Sequence, residues 1–142
     1  MKNVIAKAAV LIMAGFAVLS AAAPSETPML ANIPFAFLAG DQMHPAGEYL
    51  IRVNADYRYV ELRPAKSAIA ERVGLNGKST ERNRVSLGKG FLRFERYGST
   101  YALSGVATAQ AKAGMSVTPS KAEKELAKVP GGGVAVDVSL AQ

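Results

Sequence analysis

A single histidine, no cysteine and eleven scattered carboxylates set the chemical range of this 142-residue chain. Nucleophilic catalysis by Ser or Thr needs a base beside the nucleophile, most often an imidazole. His44 is the sole candidate. It lies between Met43 and Pro45 in a turn region, and it reads as a surface turn histidine. One His without Cys cannot close a tetrahedral zinc site. Asn54-Ala55-Asp56 is too sparse for a calcium loop. No metal and no other cofactor is expected. Paired carboxylates can hydrolyse glycosides, and Glu48, Glu61, Glu95 and Asp137 are the candidates. Each sits on a strand-like segment at a position expected to face solvent, with basic residues nearby. Surface ion pairing is the simpler reading, and the chain is expected not to be an enzyme.

Two glycine clusters invite a phosphate-loop reading. Gly74-Leu75-Asn76-Gly77-Lys78-Ser79-Thr80 has the terminal Gly-Lys-Ser, but the position that requires the first glycine is Arg72. A turn followed by a charged loop is expected instead. Gly131-Gly132-Gly133 has no lysine beside it and reads as a hinge.

What remains is aromatic and basic. Arg72, Lys78, Arg82, Arg84, Lys89, Arg93 and Arg96 outnumber Glu71, Glu81 and Glu95 over one segment. Arginine interleaved with tyrosine can hold sugars or anionic polymers by stacking and charge. Tyr57, Tyr59, Arg93 and Tyr97 form the candidate ligand-binding set, with a solvated basic face as the plainer alternative. The absence of Trp removes the strongest stacking residue for a carbohydrate.

The elements that must position these residues are short and β-like. Side chains on a strand alternate between faces. Expected strands cover residues 33–38, with Pro34 marking an edge, and 48–54, with Tyr49, Ile51 and Val53 on one face. Others cover 57–63, with Val60 and Leu62 inward, then 67–73, 84–87 and 91–97, with Leu92 and Phe94 inward. Gly98-Ser99 makes a hairpin turn into 101–109. Val134 to Leu140 alternates cleanly as a last strand. Residues 119–128 read as a helix. Ser120 and Glu123 have capping-box spacing, Thr118 with Pro119 is the competing start, and Ala122, Leu126 and Val129 make a thin apolar stripe. The fold class is all-β: an antiparallel β-sandwich or small β-barrel of about seven or eight strands, with one short helix in the C-terminal half. Residues 29–142 form a single domain, and 23–28 are a flexible entry segment.

Residues 1–22 differ from everything after them. Lys2 and Lys7 precede an apolar run from Ala8 to Leu19, and small residues Ser20 to Ala23 follow. That order is a signal peptide's, and the run is shorter than the roughly 20 residues that span a bilayer. Export to the periplasm or outside the cell is expected, with no transmembrane anchor after cleavage. Cleavage takes two lysines and lowers the formal net charge of +6 by two. Nucleic acid is therefore not an expected partner; an extracellular anionic polymer, or self-association through edge strands, is.

Asn32-Ile33-Pro34-Phe35-Ala36-Phe37, Pro45-Ala46-Gly47-Glu48-Tyr49, Phe94-Glu95-Arg96-Tyr97-Gly98 and Pro119-Ser120-Lys121-Ala122-Glu123-Lys124-Glu125-Leu126-Ala127 occur in that order. The ordered set resembles a group of small, secreted, uncharacterised β-rich proteins abundant in acidobacterial genomes. The resemblance implies an exported β-rich domain with one late helix, and carries no activity with it. The expected function is non-enzymatic: a binding or assembly module at the cell surface or in the periplasm. The alternative is a soluble ligand- or polysaccharide-binding protein using the Tyr/Arg face.

Overall fold

The computed structural model describes residues 27–56, 58–78, 90–108 and 114–141. The expected leader, the strand at 84–87 and Tyr57 lie outside these residues. Among the described residues ten strands and one helix follow in chain order: β1 (Met29–Ile33), β2 (Phe37–Ala39), β3 (Gln42–His44), β4 (Gly47–Asn54), β5 (Tyr59–Pro64), β6 (Glu71–Lys78), β7 (Phe91–Tyr97), β8 (Thr100–Ala107), β9 (Met115–Val117), α1 (Lys121–Leu126) and β10 (Val134–Ala141).

Eight strands close on themselves in the order β8-β7-β10-β1-β4-β5-β6-β9, and β9 returns to β8. Every neighbour in this ring is antiparallel. The fold is a β-barrel, which decides between the two architectures expected. Period-two sequence makes the wall: Tyr49, Ile51 and Val53 of β4, Val60 and Leu62 of β5, and Leu92 and Phe94 of β7 are all buried. These meet Ile33, Phe37 and Leu103 in one continuous core. An eight-stranded barrel has an interior just wide enough for side chains to fill. Here they fill it, with Tyr49, Phe37 and Phe94 the largest of the wholly buried residues.

The segment after β1 covers one mouth of the barrel. After β1, Pro34-Phe35-Ala36 carries the chain to β8, where β2 pairs in parallel through Phe37 and Leu38. β3 folds back on β2, with Gly40 at positive φ (61°) in the turn between them. Phe37 enters the mouth and meets Phe94 and Tyr49 edge-on, with ring centroids 5.3 Å apart in each case. Phe35 stacks on Tyr101 at 3.8 Å. Near this end lies α1, which falls between β9 and β10 in the chain and whose Ala122 N–H reaches Asp41 Oδ1 of the β2–β3 turn at 3.5 Å.

Three expectations about strands need correction. The strand expected at 33–38 is two strands broken at Pro34. Its first half is no edge, since β1 lies between β10 and β4. The inward set Met29, Ala31 and Ile33 contains a single large β-branched residue, so the sequence signal there is weak. The strand expected at 67–73 begins at Glu71 and continues through Gly74 to Lys78. Ser67–Ala70 follow a turn closed by Ser67 N–H donating to Pro64 O (2.9 Å), and Ile69 N–H donates to Ser67 Oγ (3.1 Å). Gly74 therefore does not end the strand, and Gly77 marks the irregularity in its pairing with β9. Last, the expected hinge at Gly131-Gly132-Gly133 does not set β10 apart from the sheet. β10 pairs with β7 from Val134 to Ser139 and with β1 at Leu140 and Ala141, so it is part of the closed ring.

Candidate functional site

Closure sends half of each strand's side chains outward, and the outward row of β7 is Phe91, Arg93, Glu95 and Tyr97. Two residues of the expected ligand set, Arg93 and Tyr97, therefore share a face. Tyr59 does not join them. Its strand, β5, is four positions from β7 whichever way the ring is followed, so it stands on the opposite wall. Arg72 lies over the Tyr59 ring there, 4.9 Å from its centroid, and pairs with Glu61 at 3.3 Å. No single concave site collects Tyr59, Arg93 and Tyr97.

On the β7 wall the two residues have close partners. Arg93 faces Asp137 directly across β7 and β10 and grips it with two contacts, Nε to Oδ1 at 2.9 Å and Nη2 to Oδ2 at 3.2 Å. Its guanidinium also lies over Phe91, 5.5 Å from the ring centroid. Bidentate geometry makes this a directional cross-strand clamp. Tyr97 Oη donates toward two carboxylates, Glu95 Oε2 at 3.1 Å and Glu123 Oε1 at 3.5 Å.

Glu123 is the residue that sequence reasoning missed. It occupies the first turn of α1, where the capping-box spacing holds: Ser120 Oγ accepts from Glu123 N–H at 3.1 Å. Ser120, rather than Thr118, is the cap. Of the expected Ala122/Leu126/Val129 stripe, Ala122 and Leu126 are half-buried and Val129 is not. Glu123 is the buried residue of the helix, 7% exposed, while Val129 is 62% exposed. The helix docks by a carboxylate because Tyr97 on the wall offers it a hydrogen bond, and apolar periodicity could not reveal that.

Burial pushes the Glu123 carboxyl upward, and the Glu95 charge beside it pushes the same way; hydrogen bonds from Tyr97 and the Ser120 backbone oppose them. Tyr97 is pushed up to about 12, first by burial and then by the charges of Glu95 and Glu123. Gly133 completes the cluster. A Cβ there would overlap the Glu95 carboxylate, so the glycine lets the β10 approach pass close over that side chain.

Beside the cluster, and sharing Tyr97 with it, a shallow groove of about 360 Å³ runs between the end of β7 and the α1–β10 connection. Tyr97, Leu126, Val129, Pro130 and Val134 line it. Beside the groove, β10 has strand pairing with β1 only over its last two residues. β1 ends at Ile33 and Pro34 follows, which has no N–H to offer. The β1 side of β10 from Val134 to Asp137 is therefore an edge without strand pairing.

The histidine is also not where the sequence put it. His44 lies on β3 with its side chain 13% exposed, and Nε2 is 2.7 Å from Glu71 Oε2, a close contact outside hydrogen-bond geometry. Its ring stacks on Phe37 with centroids 5.2 Å apart. Among the described residues no group of three or more His, Cys, Asp or Glu is arranged to hold a metal ion. No helix among them is long and apolar enough to cross a membrane.

Comparison with known proteins found no matching family model, no matching curated protein and no matching solved structure.

Proposed function

We propose that this chain is an exported, non-enzymatic β-barrel that acts as a binding or assembly module through its outer surface. The leader-like order of charge, apolar run and small residues at 1–23 supports export. The observation that carries the binding reading is the juxtaposition at the end near α1: an apolar groove beside the stretch of β10 without strand pairing on its β1 side. An edge of this kind carries backbone N–H and C=O groups that an added strand can pair. The groove supplies apolar contacts for that strand's side chains. The packed barrel interior leaves surfaces and edges as the places for a partner. The alternative, a polysaccharide binder with a Tyr/Arg platform, draws no support from where Tyr59, Arg93 and Tyr97 stand.

The test is association of the processed chain, by analytical ultracentrifugation and by capture of cell-envelope proteins on immobilised protein. Removing β10 would open the barrel, so point changes are needed. Val134→Lys leaves the ring intact and puts a charge where the groove meets the edge. It is expected to weaken association or capture at least tenfold. A wild-type chain that stays monomeric and captures nothing, or a Val134→Lys chain that binds as well as wild type, defeats the proposal.

A further inference from the structure

We propose that α1 is a proton-operated cap: a proton shared in the Glu95–Tyr97–Glu123 cluster holds the helix on the barrel wall, and its loss loosens the helix and the groove that Leu126 and Val129 help to line. The geometry carries this. Two carboxylates from different elements converge on one phenolic hydroxyl, Glu95 from β7 at 3.1 Å and Glu123 from α1 at 3.5 Å. One hydroxyl has one proton to donate, so when both carboxylates are ionised one of them faces the phenolic oxygen without a hydrogen between. Protonating either carboxyl restores a donor and removes the repulsion across the junction.

Neighbouring charges do not neutralise the pair. Arg93, two positions from Glu95 on the same face, is clamped to Asp137. On α1 and its C-terminal extension, Lys121 and Lys124 are exposed, and Lys128 pairs with Glu125 at 2.7 Å. The β2–β3 turn brings a further acid, Asp41, to the Ala122 N–H. The α1–β10 connection brings Gly133, which has no side chain. Among the described residues no lysine or arginine forms an ion pair with Glu95 or Glu123.

The sign follows from the folded state favouring the protonated acid. A carboxyl whose ionisation is raised by folding binds more protons folded than unfolded, so stability falls as pH climbs from the ordinary carboxylate range through the raised value. Burial and the Glu95 charge raise Glu123 in this way. Acid therefore seats the cap and neutral pH loosens it. The inference rests on the proposed function only for what loosening would expose.

Hydrogen exchange of the full processed chain between pH 4 and pH 8 tests it, with rates corrected to protection factors. Wild-type α1 amides are expected to lose protection several-fold from pH 4 to pH 7, while β4 amides do not. Glu123→Gln, and independently Glu95→Gln, is expected to flatten that change. Protection of α1 that does not vary with pH in wild type, or that varies as strongly in both glutamine variants, overturns the proposal. This measurement needs no partner, so the cap can fail while groove binding stands, and the reverse.

Discussion

Tyr49 and Tyr97 stand at the same covered end of the barrel, and they differ in what receives their proton. Tyr49 is wholly buried among Phe37, His44 and the core, and its hydroxyl donates to Pro45 O at 2.6 Å. That acceptor is a backbone carbonyl with no charge to change. Tyr97 is half-buried on the outer wall, and its acceptors are two carboxylates. Both phenols are pushed upward, Tyr49 by burial and Tyr97 by burial and adjacent negative charge. One hydroxyl thus locks a turn onto a core, with a strength that does not vary over ordinary pH. The other ties a helix to a wall through a junction whose strength depends on protons.

The widest separation between the two is in global stability. Tyr49→Ala empties a packed site and is expected to cost about 3–5 kcal/mol, the usual range for a large buried aromatic. Tyr97→Ala truncates a side chain that keeps solvent access and is expected to cost less than about 2 kcal/mol. Urea midpoints at constant m-value read the difference. Equal losses would mean that Tyr97 is as central to the core as Tyr49.

Gly133→Ala attacks the Tyr97 side alone. The added methyl would displace the Glu95 carboxylate, and crowding of this kind costs about 1–3 kcal/mol. A displaced Glu95 also no longer raises Tyr97, so the late phenolate step near 12 should move down in an ultraviolet titration, burial and Glu123 still holding it above the ordinary value. The stability consequence in wild type has a definite sign. The unfolded phenol ionises near its ordinary value of 10.0 and the folded one near 12, so stability is intact below 10 and falls as pH rises toward 12. An unchanged titration in Gly133→Ala would detach Glu95 from Tyr97.

Removing only the hydroxyls gives a finer contrast. Tyr49→Phe and Tyr97→Phe should each cost about 1 kcal/mol, the net worth of one hydrogen bond. The Tyr49→Phe cost should be the same at pH 4 and pH 7. The Tyr97→Phe cost should differ between pH 4 and pH 7, because the Glu123 carboxyl that the hydroxyl meets is raised by burial and changes charge as pH climbs. Parallel losses for the two variants at both pH values would erase the distinction.

The sequence made one of these tyrosines legible and hid the other's role, for a physical reason. Tyr49 alternates with Ile51 and Val53, and burial follows from period two without knowing the partner strand. The same rule placed Val60, Leu62, Leu92 and Phe94. Ring closure did not follow from it, because which strands are neighbours depends on long-range pairing. Tyr59 and Tyr97 therefore looked like members of one platform until the strand order put four steps between their strands. β3 and β9, three residues each, are too short for periodicity to register. Glu123 was visible as a capping residue, but its burial depends on a phenol 26 positions away in the chain. Local rules give no distance across a fold. They found the cap and missed the junction.

Ser120→Ala should have the smallest effect on the whole molecule, and it separates the cap from the junction. Ser120 Oγ holds the Glu123 N–H, and losing such an N-cap costs a helix about 0.5–2 kcal/mol. α1 is six residues long and sits outside the closed ring, so the cost should fall on local opening. Exchange protection of α1 should drop several-fold while the urea midpoint barely moves. The pH dependence of that protection should persist, because the substitution keeps the backbone N–H at that position, and it and Tyr97 Oη would still meet the Glu123 carboxylate. If the pH dependence vanishes with the serine hydroxyl, the proton acts through the helix start itself, and the Tyr97–Glu123 contact is packing without a switch.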